Sequence, residues 1–140
     1  MTYQNPKPLP TTGTVSTVTV LRCRDQFDLD PAPVLAFAET HTCAQSEEMI
    51  CRALEDIATR LDRLQAARVA GGFDQMCSPA RRIGVIAGGL GLVDVGHAAH
   101  HVRIAAETGN VVAVAATLAR LERCFDAGIS GIWAVHRPNE

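Results

Sequence analysis

The chain has 140 residues, 47% of them hydrophobic and 20% charged, with a formal net charge of −2. That length builds one sizeable core, the composition excludes a disordered chain, and the slight acidity argues against a nucleic-acid-binding face, which needs a gathered basic surplus. No apolar run reaches the ~18 residues that span a bilayer, and Met1 to Pro10 contain no apolar stretch of the secretory-signal type, so a cytoplasmic protein without membrane contact is expected.

Residues 1–30 differ in character from the rest. Pro6, Pro8 and Pro10 precede a Thr/Val-rich run from Thr14 to Val20. Prolines exclude a helix interior, and a lone strand without a partner is not stable. The segment is therefore expected to be an extended or mobile N-terminal arm, with residues 31–140 forming a helical bundle. Asp30-Pro31-Ala32-Pro33 opens a short helix over about Val34 to Glu39.

Four longer amphipathic helices follow. In the first, Thr42 and Gln45 make a capping box, with Ser46 as the alternative cap. Ile50, Leu54, Ile57, Leu61 and Leu64 then repeat at spacings of four and three, the seam of a bundle helix. Glu48/Arg52 and Asp56/Arg60 are i,i+4 pairs on its wet side. Gly71-Gly72 ends it.

The second helix carries Phe73, Met76, Ala80, Ile83, Ala87 and Leu90, either starting at the Ser78-Pro79 cap or kinking at Pro79. The third carries Leu92, Val95, Ala99, Val102 and Ala106, and stops at Gly109. Asn110 caps the fourth, whose seam is Val111, Val114, Leu118, Leu121, Phe125, Ile129 and Ile132. Aromatic residues make up only 4% of the chain, and a core of Ala, Val, Leu and Ile suits closely packed helices. Short connections between such helices predict antiparallel neighbours, hence an all-α, up-down four-helix bundle.

The second helix and its successors carry a resemblance. The run Ala80-Arg81-Arg82-Ile83-Gly84-Val85-Ile86-Ala87-Gly88-Gly89-Leu90-Gly91 resembles the signature A-H-x-L-K-G-x-A-x-x-L-G of histidine-phosphotransfer (HPt) domains. Ala99, Val102, Arg103, Ala105, Ala106, Gly109 and Asn110 are similar to the pattern with which that family continues, and a long amphipathic helix from Val111 to Trp133 comes after them. The likeness covers residues 78 to 133, under half the chain, and rests on small and apolar residues at fixed spacing.

The departures fall on the chemistry. Arg81 stands where the family has its phosphorylatable histidine, Gly84 where it has a charge-balancing lysine, and Val85 where it has a glycine that admits a receiver domain. A guanidinium stays protonated and offers no nucleophilic nitrogen. The resemblance thus implies a degenerate member: a non-phosphorylatable adaptor or decoy in a bacterial-type two-component phosphorelay, whose partner is a response-regulator receiver domain or a histidine kinase.

At 100° per residue, Arg81, Val85, Gly88 and Gly89 lie opposite the apolar seam of their helix. Arg81, Arg82, Gly84, Val85 and Gly88 therefore make the candidate docking patch, a smooth face with two cations suited to an acidic partner surface.

Other chemistry is sparse. His97, His100 and His101 cluster on the outer side of the third helix, with His97 and His101 at the i,i+4 spacing of helical metal pairs. The cluster lacks the H-E-x-x-H glutamate, and the only lysine in the chain is Lys7. An active phosphocarrier or metal-binding protein using these histidines is the alternative reading. A purely structural bundle that forms a homodimer is a further one.

The five cysteines, Cys23, Cys43, Cys51, Cys77 and Cys124, include no C-x-x-C pair and read as free thiols or small buried residues. Cys77 lies one turn before Arg81 and reads as half-buried near a helix start. His41 and His136 show no evident partner. No catalytic constellation, metal set or cofactor motif is legible, so an enzyme is not expected.

Overall fold

A computed structural model describes residues 28–138. The expected arm over residues 1–30 falls outside the described residues except for its last three. Among the described residues the protein is all-helical, with 87% in helix and no strand. Five α-helices follow one another: α1 (Ala32–Thr40), α2 (Cys43–Ala70), α3 (Cys77–Leu90), α4 (Val93–Thr108) and α5 (Val111–His136), with a 3₁₀ turn over Phe73–Met76 leading into α3. None of them is long and apolar enough to cross a membrane.

The helix boundaries follow local chemistry. Thr42 accepts a hydrogen bond from the Gln45 backbone N–H through Oγ1 at 3.1 Å, and Gln45 Oε1 accepts from the Thr42 N–H at 2.9 Å. This reciprocal capping box satisfies two orphan donors at the start of α2. Ser46, the alternative cap, is instead fully buried one turn inside. Asn110 caps α5 by accepting from the Ala113 N–H at 3.0 Å.

α3 departs from expectation. It starts at Cys77, and Ser78 does not cap it. The 3₁₀ turn runs directly into the helix, so the backbone at Met76 is already right-handed helical and the chain needs no separate side-chain cap. Pro79 is the third residue of α3, where an intrahelical N–H partner is not yet required.

α2, α3, α4 and α5 pack in succession, and the two-residue turns at Gly91-Leu92 and Gly109-Asn110 make α3, α4 and α5 antiparallel neighbours. One core joins Leu54, Leu61, Ile83, Leu90, Leu118, Leu121 and Phe125, all buried as the seams require. Phe73 and Ile129 are half-buried against it. Val111 is a correction: although in register with Val114, it is 66% exposed. A helical side chain leans toward the N-terminus of its helix, so the first residue of α5 leans out over the Gly109-Asn110 turn.

The short helix α1 buries Val34 and touches α2, α3 and α5. Its lead-in is tied to the α3–α4 turn: the Asp30 N–H donates to the Gly91 carbonyl at 2.8 Å, and the Asp28 N–H donates to Asp94 Oδ2 at 2.7 Å. Gly91 sits at φ +78°, and a Cβ there would lie 2.0 Å from the Asp30 carbonyl oxygen. Both the left-handed backbone and the close approach of a second chain segment call for glycine at this turn.

Candidate functional site

α3 presents Arg81, Arg82, Val85, Gly88 and Gly89 to solvent, while Ala80, Ile83, Ala87 and Leu90 face the core. The outward face expected from the 3.6-residue period is therefore the face found. Val85 is 61% exposed, a large apolar side chain left without cover.

The structure adds what helix α4 brings to this face. A shallow groove of about 260 Å³ runs between α3 and α4, lined by Ala80, Arg81, Gly84 and Val85 on one side and by Gly96, Ala99, His100 and Arg103 on the other. Arg82 and Gly88 lie exposed on α3 but do not line it. Half of its lining, Ala80, Gly84, Gly96 and Ala99, is alanine and glycine.

Packing does not demand the glycines. A Cβ on Gly84, Gly88, Gly89 or Gly96 would meet nothing within 4 Å. Interior glycine costs a helix about 1 kcal/mol relative to alanine, so the face is kept smooth at some expense to helix stability.

The groove is lined by two cations, Arg81 from α3 and Arg103 from α4, and by no acidic residue, with Arg82 exposed beside it on α3. Arg103 is held by Glu107 at 3.0 Å and donates through Nη2 to His100 Nδ1 at 3.0 Å.

The rings of His100 and His101 point to different neighbours. His97, His100 and His101 are all exposed, as expected. His100 turns toward Arg103 and the α3 groove, whereas His101 turns toward α5, where Arg120 Nη1 lies 3.4 Å from its Nδ1. Their rings are 6.2 Å apart and tilted. Among the described residues, the one set of three His, Cys, Asp or Glu ligand atoms lying within 4.8 Å of one another lies elsewhere, at Cys43, Glu47 and His136.

That second cluster corrects the expectation for His136. α5 continues one turn-fraction beyond Trp133, to His136, and delivers this histidine to the first turns of α2. Its Nε2 lies 3.7 Å from Cys43 Sγ and 3.6 Å from Glu47 Oε2. The next residue, Arg137, donates from Nε to Glu47 Oε2 at 2.7 Å, and its guanidinium stacks 5.1 Å from the centre of the Trp133 ring. The Arg137 hydrogen bond, with help from its charge and from Cys43 and His136, holds the Glu47 carboxyl below the usual carboxylate range against the opposing pull of desolvation. Cys43 and Glu47 at i,i+4 was the one legible signal. Nothing in the sequence tied them to a residue far away along the chain.

The other thiols divide by exposure. Cys51 is exposed; Cys77 and Cys124 are half-buried, and Cys23 lies outside the described residues. Burial pushes the Cys124 thiol up, away from the reactive thiolate. His41 is held locally by Thr40 Oγ1 at 2.8 Å and by the Phe37 carbonyl. Compared with protein-family models, with curated proteins and with solved structures, the chain matches none of them.

Proposed function

We propose that this protein is an HPt-like module, with α2 to α5 as an up-down four-helix bundle and α1 as an extra helix. It serves a two-component phosphorelay as a non-phosphorylatable adaptor or decoy that binds a receiver domain or a histidine kinase. A cytoplasmic location goes with that role.

The observation that carries this reading is the α3 face. Arg81 stands exposed at the edge of a groove that is lined by two cations and no acidic residue and whose glycines no packing requires. A receiver domain's phosphorylation pocket is acidic, and complementary charge guides docking while small residues permit close approach. Arg81 cannot take a phosphoryl group, since phosphoryl transfer needs an in-line nucleophile and the guanidinium offers none.

One observation favours a second reading, a phosphocarrier acting through His100. This imidazole lines the same groove as Arg81 and Arg103, which supply the cations that the α3 sequence lacks at Gly84. Against it stands the Arg103 hydrogen bond, which occupies the lone pair on Nδ1 and leaves the hydrogen on Nε2. The free nitrogen is then not the nucleophilic one.

Incubation with acetyl-phosphate-charged receiver domains separates the readings. The adaptor forms a complex without taking label; acid-labile, base-stable label on the chain, lost in His100→Ala, would establish the carrier. Arg81→Glu is expected to weaken receiver or kinase binding by roughly tenfold or more through like-charge repulsion, with the thermal melt unchanged because the side chain is in solvent. Arg81→His alone is not expected to restore efficient transfer, whereas adding Gly84→Lys and Val85→Gly is expected to improve it. If Arg81→Glu leaves every receiver and kinase interaction intact, the face is not a docking site and a structural, dimerising bundle is the better reading.

A further inference from the structure

We propose that Cys43, Glu47 and His136 form a tetrahedral Zn²⁺ site that clips the start of α2 to the end of α5. It shares no residue with the α3–α4 groove and does not depend on the function proposed for that groove.

Geometry is the first argument. Sγ of Cys43, Oε2 of Glu47 and Nε2 of His136 form a nearly equilateral triangle, with edges of 3.7 Å from Sγ to Oε2, 3.7 Å from Sγ to Nε2 and 3.6 Å from Nε2 to Oε2. A tetrahedral zinc ion, with a bond of about 2.3 Å to sulfur and about 2.0–2.2 Å to nitrogen and oxygen, sets its ligand atoms roughly 3.3–3.7 Å apart. The three donors already stand at the separation that a single such ion requires. Its fourth position is left for water.

The choice of ion follows from the donors. A thiolate and an imidazole are too soft for magnesium or calcium, which take oxygen ligands at higher coordination number. One sulfur, one nitrogen and one carboxylate oxygen in tetrahedral array suit zinc. On binding, the Cys43 thiol gives up its proton to solvent and the sulfur donates an electron pair to the ion.

The surroundings hold the ligands in place. Cys43 and Glu47 are one turn apart on α2 and so share a face. The His136 side chain is only 5% exposed, and its ring stands edge-on to Trp133 with 5.9 Å between ring centres. Arg137 orients the Glu47 carboxylate through hydrogen bonds to Oε2. Such bonds to a ligating carboxylate fix its direction, and their loss commonly costs a metal site about 10–100-fold in affinity. Cys43 itself is exposed, which gives an ion a way in from solvent.

The experiment uses the full chain, stripped with a chelator and kept reduced. Zinc is titrated in competition with a chromophoric chelator, and cobalt(II) is added in parallel as an optical reporter. The expected result is one zinc per chain and a cobalt spectrum with a thiolate charge-transfer band and the intense visible bands of tetrahedral cobalt. Cys43→Ser is expected to remove the charge-transfer band and to weaken zinc by about 100-fold or more, since direct ligands matter at least as much as the groups that orient them. His136→Ala is expected to weaken zinc comparably, with circular dichroism confirming that each variant remains helical. The double variant His97→Ala/His101→Ala, which removes the surface i,i+4 pair on α4, is expected to bind as the unaltered chain does. A second measurement needs no variant: zinc should shield Cys43 from alkylation while Cys51, exposed two turns further along α2, continues to react. Zinc affinity no tighter than millimolar, binding that survives Cys43→Ser, binding lost with the α4 histidine pair, or alkylation of Cys43 unaffected by zinc would each overturn the proposal.

Discussion

Ser46 lies in the first turn of α2 with no exposed surface, and its Oγ has no hydrogen-bond partner among the described residues. A buried hydroxyl stripped of water and left unpaired is a net cost. Ser46→Ala removes one oxygen, keeps the helix and substitutes a better helix former. It is expected to raise stability by about 1 kcal/mol, seen as a higher urea midpoint with an unchanged slope. A lower midpoint would mean that the hydroxyl does have a partner in solution. In the sequence, Ser46 looked like a cap because serine at a helix start commonly is one. The Thr42–Gln45 box occupied that role one turn earlier, and burial then turned the same hydroxyl into a liability.

At the scale of the helix, α3 sets two kinds of glycine side by side. Gly91 ends it in a backbone conformation and a contact that exclude a side chain, whereas Gly84 and Gly88 have open space where a Cβ would go. Gly84→Ala and Gly88→Ala are each expected to stabilise the fold by about 1 kcal/mol through helix propensity. If the face docks a receiver or kinase as proposed, the two changes together are expected to weaken that binding while the melting temperature rises. Stabilisation with binding unchanged would leave the smooth surface without a role in docking. That the face points outward was legible from the 100° step between residues. That His100 and Arg103 complete it was not, because the rotation of α4 relative to α3 depends on how two seams interlock, and a single helix does not carry that information.

For the molecule as a whole, the Glu47–Arg137 contact matters because it joins the beginning of the second helix to the end of the last. The Glu47 carboxyl titrates below its ordinary range in the folded protein, chiefly through the Arg137 hydrogen bond. A depressed folded value means that the unfolded chain binds the proton more readily. The contribution to stability is therefore present above the ordinary carboxylate range and is lost as the pH falls through the lower folded value. In the metal-free protein, Glu47→Gln is expected to flatten this part of the acid limb, read as the denaturation midpoint at a series of acidic pH values. A variant whose midpoint falls with pH as steeply as that of the unaltered chain would show that the contact does not persist in solution.

Local and periodic features were within reach of the sequence alone. The capping box at Thr42, the cap at Asn110, the turn glycines and the seam residues from Ile50 to Ile132 depend on neighbours within a turn or two, and helix chemistry is nearly complete over that range. Val111 shows where the pattern stops being reliable: in register with the seam, it is exposed because the side chain at a helix start leans past the end of its neighbour. Long-range encounters were decided only by the tertiary structure. His136 meets Cys43 across 93 positions of chain because α5 continues past Trp133 and the packing of α5 on α2 fixes where its end arrives. No spacing rule links those residues, since the distance between them is set by the stacked cores of several helices rather than by the period of any one.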